Sequence, residues 1–588
     1  MEKIALKEKI KELLQDKVIE ECSFSQGDYM NTVFLREKKL NNTNERKFRI
    51  ILNMKILNKD FVKKEHHKMD SLNTCLCLMK ENCFMASIDL KNAFHTFPMH
   101  PEFTKYLKFK VEDICYKYLV LPMGFTDSPR IFCKLLKPVV SHLRKQGFLS
   151  SLYIDDFYLQ GSSYEECERN VTSTFKLLKK LGFEISDKSM MQPTKNLEHL
   201  GFILNSTDMS ISLSEEKRNN IILLLSDSLK KQLSARDIAK ITGTLVATFP
   251  AVEYGRLYYR DLEMLKIQSL KPFFNFDNKA TLNSACIKEI KWWLEEGLFS
   301  SNVISHKNPD FILQSDSSGF AWGALLLGEQ VSTQGFWDSD EKLQDINILE
   351  LKASKLGVQA LCQDLNNCHL QLQIDNTTAV TYINNMGGTH SLECNKQAKE
   401  LILWCKNKNI WLTACHIAGK DNTEADFLSR KINDNIEWSL KQEAFEFICS
   451  KFGKPTIDLF ASRINHKLEK YISLLPDINA TAINAFHHKW SEFAYLFPPF
   501  NLIPRVLKKI REDKTPAAIL IFPQWECASW YPVILTMSLR DPLFLRQSED
   551  LLFLHHKKTA IHPLMPKLKL MAGLLSGTNS KEKDLTIN

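Results

Sequence analysis

The sequence predicts a multidomain protein of mixed α/β and α+β class. At 588 residues, the chain is too long for one hydrophobic core, and ordinary domain sizes indicate about three to five units. Its hydrophobic content of 44% and charged content of 25% are typical of globular proteins. Short β-prone apolar runs also alternate with stretches of helical periodicity along the chain. These observations favour several mixed domains over a helical or an all-β protein.

The amino-terminal residues predict a helix followed by a basic hairpin. Apolar residues recur at helical spacing from Met1 to Cys22, and the β-prone runs Thr32–Leu35 and Lys47–Asn53 flank a polar turn at Asn41–Asn44. Between residues 31 and 68 there are eleven basic and four acidic residues, so this stretch carries most of the net charge of +8. Such a stretch suits a polyphosphate partner, although a solvated lysine face gives the same pattern.

Two adjacent carboxylates, Asp155 and Asp156, lie between two apolar runs. The pattern predicts a hairpin with both acids at its tip. Adjacent carboxylates repel each other, and oxygen ligands suit Mg²⁺, so a cation would relieve this repulsion. An Asp-Asp turn on a surface hairpin is the alternative interpretation. A third acid, Asp89, ends another apolar run upstream, from Cys83.

The ordered set of Asp89, the stretch Leu121–Phe125 followed by Ser128-Pro129, and the Asp155-Asp156 pair resembles the palm of reverse transcriptases. This resemblance implies a right-hand polymerase fold of palm, fingers and thumb. It also implies that Asp89, Asp155 and Asp156 share two Mg²⁺ ions, for which Mn²⁺ can substitute. Such ions activate the primer 3′-hydroxyl and stabilise the leaving pyrophosphate. Asp156 ranks below the other two because a partly structural role is open.

The same resemblance assigns four substrate-binding residues. Arg49 corresponds to an arginine that contacts the phosphates of the incoming dNTP, and Phe94 to a bulky ring beside the 2′ position of the sugar. Met123 stands where many reverse transcriptases carry glutamine, and Gly124 would let the backbone approach the nucleotide. For Phe94, core packing is the alternative role. Downstream, residues 212–296 are largely helical by pattern, with a cap at Ser234, and look like a thumb and connection.

A second acidic set follows on a strand, a helix, a strand and a helix, namely Asp316, Glu350, Asp375 and Asp426. This order resembles ribonuclease H, a mixed sheet with helices, and implies that two Mg²⁺ ions cut the RNA strand of an RNA/DNA hybrid. Any one of these acids alone would be read as a surface group. His416, ten residues before Asp426, resembles a loop histidine that assists product release, and a strand-end histidine without that role remains the alternative.

Alternating strands and helices after Arg430 predict an α/β domain. It resembles the methyltransferase-like domain that follows ribonuclease H in DIRS-type retrotransposons. However, Phe497 stands before the two prolines where amine-directed DNA methyltransferases carry Asp or Asn, and no glycine-rich loop follows Asp458. An apolar ring cannot accept a hydrogen bond from the target amine, so we expect weak or no methyl transfer. The basic residues from Leu564 predict a flexible tail.

The sequence thus predicts five segments. They are fingers and palm (1–205), thumb and connection (206–300), ribonuclease H (301–432), a methyltransferase-like domain (433–563) and a tail (564–588). The order is that of a retroelement Pol protein acting on an RNA template, a DNA primer, dNTPs and RNA/DNA hybrid, with a possible separately encoded recombinase. A domesticated, inactive nucleic-acid-binding relic is the alternative.

Cysteine usage and hydropathy predict the compartment. The fifteen cysteines are scattered without a Cys-x-x-Cys pair, and the sequence shows neither a signal peptide nor an apolar run near eighteen residues. A reduced intracellular protein, in the cytoplasm or nucleus and neither secreted nor membrane-bound, is therefore expected.

Overall fold

The computed structural model describes residues 2–38, 47–63, 65–271, 273–432 and 436–578. The expected mixed α/β multidomain class is confirmed. The chain forms two compact units. The first comprises Met1–Leu233, Lys240–Gly255 and Ile287–Ser305, and the second comprises Ser234–Ala239, Arg256–Cys286 and His306–Asn588. Within the described ranges, no helix combines the length and apolar character needed to cross a membrane.

The first 205 residues form two sheets covered by helices, together with the first two strands of a third sheet. The helices are α1 (Glu2–Gln15), α2 (Lys55–Asp60), α3 (Leu72–Leu78), α4 (Pro101–Thr104), α5 (Ser128–Lys145) and α6 (Tyr164–Lys180). The strands are β1 (Ile19–Glu21), β2 (Met30–Lys38), β3 (Lys47–Asn53), β4 (Phe84–Lys91), β5 (Lys108–Val111), β6 (Ile114–Tyr118), β7 (Leu149–Tyr153), β8 (Asp156–Gly161), β9 (Glu184–Ile185), β10 (Asn196–His199) and β11 (Phe202–Asn205).

One sheet has the order β1-β6-β5-β2-β3, and the other has the order β7-β8-β4-β9. The predicted basic hairpin is confirmed by the antiparallel pairing of β2 with β3, while its turn at Asn41–Asn44 lies outside the described residues. The apolar faces of β4 and β8 pack against α5 and α6 around Phe132 and Leu136, which are fully buried. This core holds the second sheet rigidly and therefore positions its strand ends.

The next hundred residues combine helices with short strands. They are β12 (Ser210–Leu213), α7 (Glu215–Ser228), β13 (Leu233–Ser234), α8 (Ala235–Val246), α9 (Arg260–Leu270), β14 (Lys279–Ala280), α10 (Ser284–Glu295) and β15 (Ser301–Val303). The predicted cap is confirmed, because Ser234 Oγ accepts the Asp237 N–H at 3.2 Å and Asp237 Oδ2 accepts the Ser234 N–H at 3.0 Å. This segment is divided between the two units, so it does not form a unit of its own.

Residues 306–432 build a mixed sheet with helices against it. The elements are β16 (Phe311–Ser317), β17 (Ala321–Leu326), β18 (Val331–Phe336), α11 (Ile346–Leu361), β19 (His369–Ile374), α12 (Thr377–Asn384), α13 (Leu392–Asn407), β20 (Trp411–His416) and α14 (Thr423–Arg430). The strand order is β18-β17-β16-β19-β20, with β16, β19 and β20 parallel. Gly357 lets α11 lie close to β17, because a Cβ there would be 2.5 Å from the Ala324 Cβ.

The last segment is an α/β domain. Its elements are β21 (Trp438–Leu440), α15 (Gln442–Phe452), β22 (Ile457–Asp458), β23 (Ile472–Ser473), β24 (Ala482–Ile483), β25 (Ala494–Leu496), α16 (Ile503–Glu512), β26 (Ala518–Pro523), α17 (Tyr531–Met537), β27 (Leu543–Phe544), β28 (Leu552–Leu554) and β29 (Leu570–Leu575). The main sheet has the order β22-β25-β26-β29-β27. The expectation of a flexible tail from Leu564 was wrong for β29, which is wholly buried and pairs antiparallel with β26. Lysines before this strand concealed its apolar run, and residues 579–588 lie outside the described ranges.

The second unit contains an ion pair between residues 306–432 and the α/β domain. The guanidinium of Arg463 donates to both carboxylate oxygens of Glu341, at 3.1 and 2.8 Å, and to the Phe336 carbonyl at 3.1 Å. Lys352 on α11 places its Nζ 3.6 Å from the same Glu341 carboxylate. The side chains of Arg463, Glu341 and Lys352 are no more than 20% exposed. The pair is therefore bidentate and shielded from water, which makes it stronger than a surface ion pair.

Substituting Arg463→Ala should lower the free energy of unfolding by about 1–3 kcal/mol, because it removes hydrogen bonds to a mostly buried carboxylate. Thermal unfolding of the full chain measures this effect. Arg463→Lys keeps the charge but loses the fork and should give an intermediate result. Arg540→Ala is the matched control, since Arg540 is exposed and donates to a single carbonyl, that of Lys451. Equal midpoints for the Arg463 and Arg540 variants would contradict a stabilising role for the pair.

Candidate active sites

Strand register brings the first acidic set together. Asp89, near the end of β4, lies directly opposite Asp156, the first residue of β8. Tyr153 pairs with Asp156 across the β7–β8 hairpin, so Ile154 and Asp155 form its two-residue turn. Ile154 has a φ of +55°, which is rare for a β-branched residue and marks local strain. The predicted hairpin with the acidic pair at its tip is therefore confirmed.

Backbone bonds fasten this turn to the neighbouring strand. The Asp155 carbonyl accepts the Leu90 N–H at 3.1 Å, and the Asp89 N–H donates to Ser189 Oγ at 3.0 Å. The Ser186 N–H donates to the Asp89 carbonyl at 2.8 Å. Neither serine was singled out from the sequence, where a serine in a polar loop carries no distinctive pattern. Both bonds restrict the β4 backbone beside its acidic residue.

The electrostatics of this set favour a bound cation. Burial, the charges of Asp155 and Asp89 and a hydrogen bond to Asp89 together raise the pKa of Asp156 to about 7, while Lys188 opposes the shift. Burial also raises the pKa of Asp155, with Asp89 adding to the shift and Arg49 opposing it. These carboxylates are costly to ionise side by side, and a bound cation would offset that cost. They also offer only oxygen atoms as ligands, which fits Mg²⁺.

Arg49 and Phe94, two of the predicted substrate-binding residues, differ in their exposure and in their contacts. Arg49 is exposed on β3, opposite Arg36, and its charge reaches Asp155. Phe94 lies in a short 3₁₀ helix, half-buried, with its ring edge-on to Phe132 at a centroid distance of 5.2 Å. The ring is thus anchored on the palm core, while steric selection of the sugar stays a prediction.

Gly124 is explained by a close approach that the sequence could not show. Its φ is +121°, and a Cβ there would lie 2.1 Å from the Leu52 carbonyl oxygen. The neighbouring Met123 carbonyl accepts the Leu52 N–H at 3.3 Å, and Asn58 Nδ2 donates to the Gly124 carbonyl at 2.8 Å. The β3 backbone lies so close to residue 124 that this position requires glycine, whether or not a nucleotide also approaches it. Asn58 was not singled out from the sequence.

The second acidic set converges more tightly. One potential ligand atom from each of Asp316, Glu350 and Asp375 lies within 4.8 Å of the other two, and among the described residues no other group of three or more His, Cys, Asp or Glu side chains meets this limit. Asp316 is near the end of β16, Glu350 is on α11, and Asp375 directly follows β19. Asp89, Asp155 and Asp156 do not meet this limit, so the acidic groups of the palm are less closely grouped than these three.

Burial dominates the chemistry of this cluster. Asp316 and Glu350 are each only 4% exposed. Burial raises the pKa of Glu350 to about 9, with the charges of Asp316 and Asp375 adding to the shift. The Glu350 Oε2 atom is buried and has no hydrogen-bond partner among the described residues. A divalent cation would satisfy this oxygen and offset the repulsion, so the donor set fits Mg²⁺.

The structure places Asp426 and His416 at the edge of the cluster. Asp426 on α14 is 41% exposed, and its carboxylate accepts a hydrogen bond from Arg430 Nε. It is outside the close group of three, although its charge still raises the pKa of Asp316. His416 ends β20, exposed, with Nε2 3.1 Å from the Asp375 carbonyl oxygen. Ser429, which sequence reasoning missed, donates to Asp316 Oδ2, and its only signal was helical spacing from Asp426.

Comparison with known proteins assigns a class to the first site. Residues 37–204 match the family described as "Reverse transcriptase (RNA-dependent DNA polymerase)". This segment contains the complete palm set, so it is a reverse transcriptase domain. The relatives described next are viral polyproteins, and the DIRS-type origin expected from the sequence stays a prediction.

Polyprotein P3 of Commelina yellow mottle virus is 22% identical over 408 residues, covering 66% of this chain and 20% of that protein. The genome polyprotein of Petunia vein clearing virus (isolate Shepherd) is 23% identical over 396 residues, covering 65% and 17%. The enzymatic polyprotein of Cauliflower mosaic virus (strain Strasbourg) is 25% identical over 468 residues, covering 74% and 62%. The chain therefore spans between 17% and 62% of the length of these three relatives.

Two solved structures of the foamy viral protease-reverse transcriptase are also similar. One, a form named dRH in complex with double-stranded DNA, has a TM-score of 0.45 at 15% identity, covering 70% of this chain and 69% of that chain. The other, in complex with RNA/DNA hybrid, has a TM-score of 0.44 at 14% identity, covering 74% and 57%.

The raised pKa of Glu350 predicts how stability depends on pH. A carboxyl whose folded pKa of about 9 lies above its unfolded value binds more protons when folded, so the free energy of unfolding falls as pH rises between these values. In EDTA, the unfolding midpoint should drop from pH 5 to pH 9, by about 2–4 °C for each kcal/mol lost. Glu350→Gln should flatten this drop.

Exposed Glu424 in the same segment supplies the matched control, Glu424→Gln, which should retain the full pH dependence. Adding MgCl₂ should raise the midpoint of the unsubstituted protein more at pH 9 than at pH 6, because cation binding requires the ionised carboxyls. Identical pH profiles for the two glutamate variants would show that Glu350 does not carry the effect.

Proposed function

We propose that this protein is an RNA-directed DNA polymerase that also cleaves the RNA strand of RNA/DNA hybrids, as the Pol product of a retroelement does. The observation that carries the proposal is the register of β4 against β8, which sets Asp89 opposite Asp156 with Asp155 at the adjoining turn. This arrangement lies within the segment that matches the reverse transcriptase family. The substrates are an RNA template, a DNA primer and dNTPs.

In the polymerase reaction, Asp89 and Asp155 would hold Mg²⁺, with Asp156 completing the set. When bound, two such ions lower the pKa of the primer 3′-hydroxyl and neutralise the departing pyrophosphate. Arg49 contributes a planar fork that binds two oxygens of the triphosphate, and its exposure on β3 leaves it available. Phe94, braced by the palm core, limits the room at the sugar 2′ position, and Met123 packs beneath the base.

In the hybrid-cleaving reaction, Asp316, Glu350 and Asp375 would hold Mg²⁺, which supplies an activated water for attack on the phosphorus. Their mutual distance supports this role. Asp426 joins them only after its carboxylate leaves Arg430, and such an exposed ion pair costs little to open. His416, next to the Asp375 backbone and exposed to solvent, assists release of the product. Removing the RNA template prepares the new strand for second-strand synthesis.

We assign the α/β domain after residue 432 as methyltransferase-like in architecture but weak or inactive in methyl transfer. The parallel order of β22, β25 and β26 supports the architecture. Phe497 packs with the apolar cluster around Phe445 and Tyr495, so its ring serves the core and presents no acceptor for an amine. We also propose that the protein belongs to a DIRS-type element whose recombinase is encoded separately, and that it acts inside the cell.

Asp155→Asn should reduce primer extension on poly(rA)/oligo(dT) with dTTP by about a hundredfold or more, because it removes a carboxylate that would hold the Mg²⁺ ions, and these ions neutralise the transferred phosphate. Incorporation of labelled dTMP by the full chain is the measurement. Asp113→Asn, at an aspartate that is fully exposed in the turn between β5 and β6, should extend primers normally. If the unsubstituted protein incorporates no more dTMP than Asp155→Asn does, the polymerase proposal fails and the inactive-relic alternative is supported instead.

Asp375→Asn should abolish cleavage of the RNA strand in a labelled RNA/DNA hybrid while leaving primer extension intact. The reason is that Asp375 belongs to the close acidic cluster on β16, α11 and β19 and to no element of the palm. Denaturing gels follow the RNA and DNA strands separately, with Asp364→Asn, an exposed site before β19, as the control. Simultaneous loss of both activities would refute two separate active sites.

A further inference from the structure

Two adjacent aromatic side chains project from a turn in the second unit, between α9 and β14. Phe273 is 87% exposed and Phe274 is 79% exposed. Phenylalanine is normally among the buried residues, so two exposed rings at consecutive positions are unusual. Phe274 also has a φ of +51°, a left-handed conformation that disfavours an aromatic residue. Both features are costly in the isolated chain, which indicates that the rings serve a partner.

The turn is anchored, so the rings are held outward. Asn275 Oδ1 accepts the Asp277 N–H at 2.9 Å, and Asn278 Nδ2 donates to the Ser269 carbonyl at 2.9 Å. The Ala235 N–H donates to the Asn278 carbonyl at 2.8 Å. These bonds secure the turn on its carboxyl side and at its base. An anchored aromatic pair loses less conformational entropy on binding than a mobile one.

The charges around the turn indicate the partner. Lys271 and Lys279 flank the two rings and are both exposed. Between residues 269 and 280 the sequence contains one acid, Asp277, which is already paired with Arg236 at 3.0 Å. Arg236 in turn lies over the ring of Phe276, 5.6 Å from its centroid. Exposed rings between two exposed cations match a ligand that alternates flat apolar faces with negative charges, which is a nucleic-acid strand.

We propose that Phe273 and Phe274 stack on unpaired bases of a single nucleic-acid strand, while Lys271 and Lys279 contact its phosphates. An unpaired strand is favoured over a duplex because its bases already expose their faces, whereas entering a duplex requires unstacking. Stacking on phenyl rings tolerates any base, so binding shows little sequence preference. This inference rests on the proposed function only in that the protein handles nucleic acid.

The test is binding of a fluorescein-labelled dT₁₂ oligonucleotide to the full chain, followed by anisotropy. The double variant Phe273→Ala/Phe274→Ala should weaken binding by about ten- to a hundredfold, while binding of a fully paired hairpin should change by less than about twofold. Phe103→Ala, at another phenylalanine that is 54% exposed, should bind dT₁₂ normally. Lys271→Gln/Lys279→Gln should reduce the slope of log affinity against log salt by about 1.4.

A spectroscopic signature separates stacking from a folding defect. In Phe273→Trp/Phe274→Trp, dT₁₂ should still bind, and the added tryptophan fluorescence should be quenched on binding. Unchanged dT₁₂ affinity of the alanine variant, or an equal loss for dT₁₂ and the hairpin, would overturn the proposal. Sedimentation that shows a dimer for the unsubstituted protein and a monomer for the alanine variant would also overturn the proposal, because the rings would then bind a second copy of the chain.

Primer extension on the same preparation distinguishes this inference from the proposed function. If the unsubstituted protein binds dT₁₂ through the two rings but does not extend primers, the polymerase proposal fails and the aromatic site stands. If it extends primers while the alanine variant binds dT₁₂ with unchanged affinity, the polymerase proposal stands and the aromatic site fails.

Discussion

Repulsion between carboxylates held together by the backbone is the constraint on which both candidate sites depend. In the palm, antiparallel register puts Asp89 against Asp156, and burial lifts the pKa of Asp156 to about 7. In the second unit, Glu350 lies among two other acids, and its pKa is raised to about 9. Neither arrangement is stable by itself, so the surrounding cores must hold it until a cation relieves the charge.

The two sites use different backbone devices to satisfy this constraint. The palm uses a two-residue turn with a strained Ile154, fastened to β4 by the Asp155 carbonyl. The second site uses the ends of the parallel strands β16 and β19, against which α11 is packed closely through Gly357. One ligand atom from each of Asp316, Glu350 and Asp375 lies within 4.8 Å of the other two, whereas the palm acids are less closely grouped.

The α/β domain contributes packing to the second unit as well as its own fold. Arg463 reaches Glu341, which Lys352 also approaches from α11, the helix that carries Glu350. The ring of His556 stacks on Phe336 at a centroid distance of 3.8 Å. Through these contacts, the α/β domain packs against the segment that holds the acidic cluster.

The sequence by itself determined the class of fold and most of the elements that carry the acidic residues, because both follow from local alternation, helical spacing and turn chemistry, as at Asp155-Asp156. The resemblance to reverse transcriptases and ribonuclease H singled out the acidic residues themselves. Only the tertiary structure decided that Leu52 requires Gly124, that Asp316, Glu350 and Asp375 form a close group, and that Leu570–Leu575 is a buried strand. Each of these depends on contact with residues or strands that are distant in the sequence, and no local pattern specifies their positions. Such approaches are properties of the folded backbone, so they became visible only there.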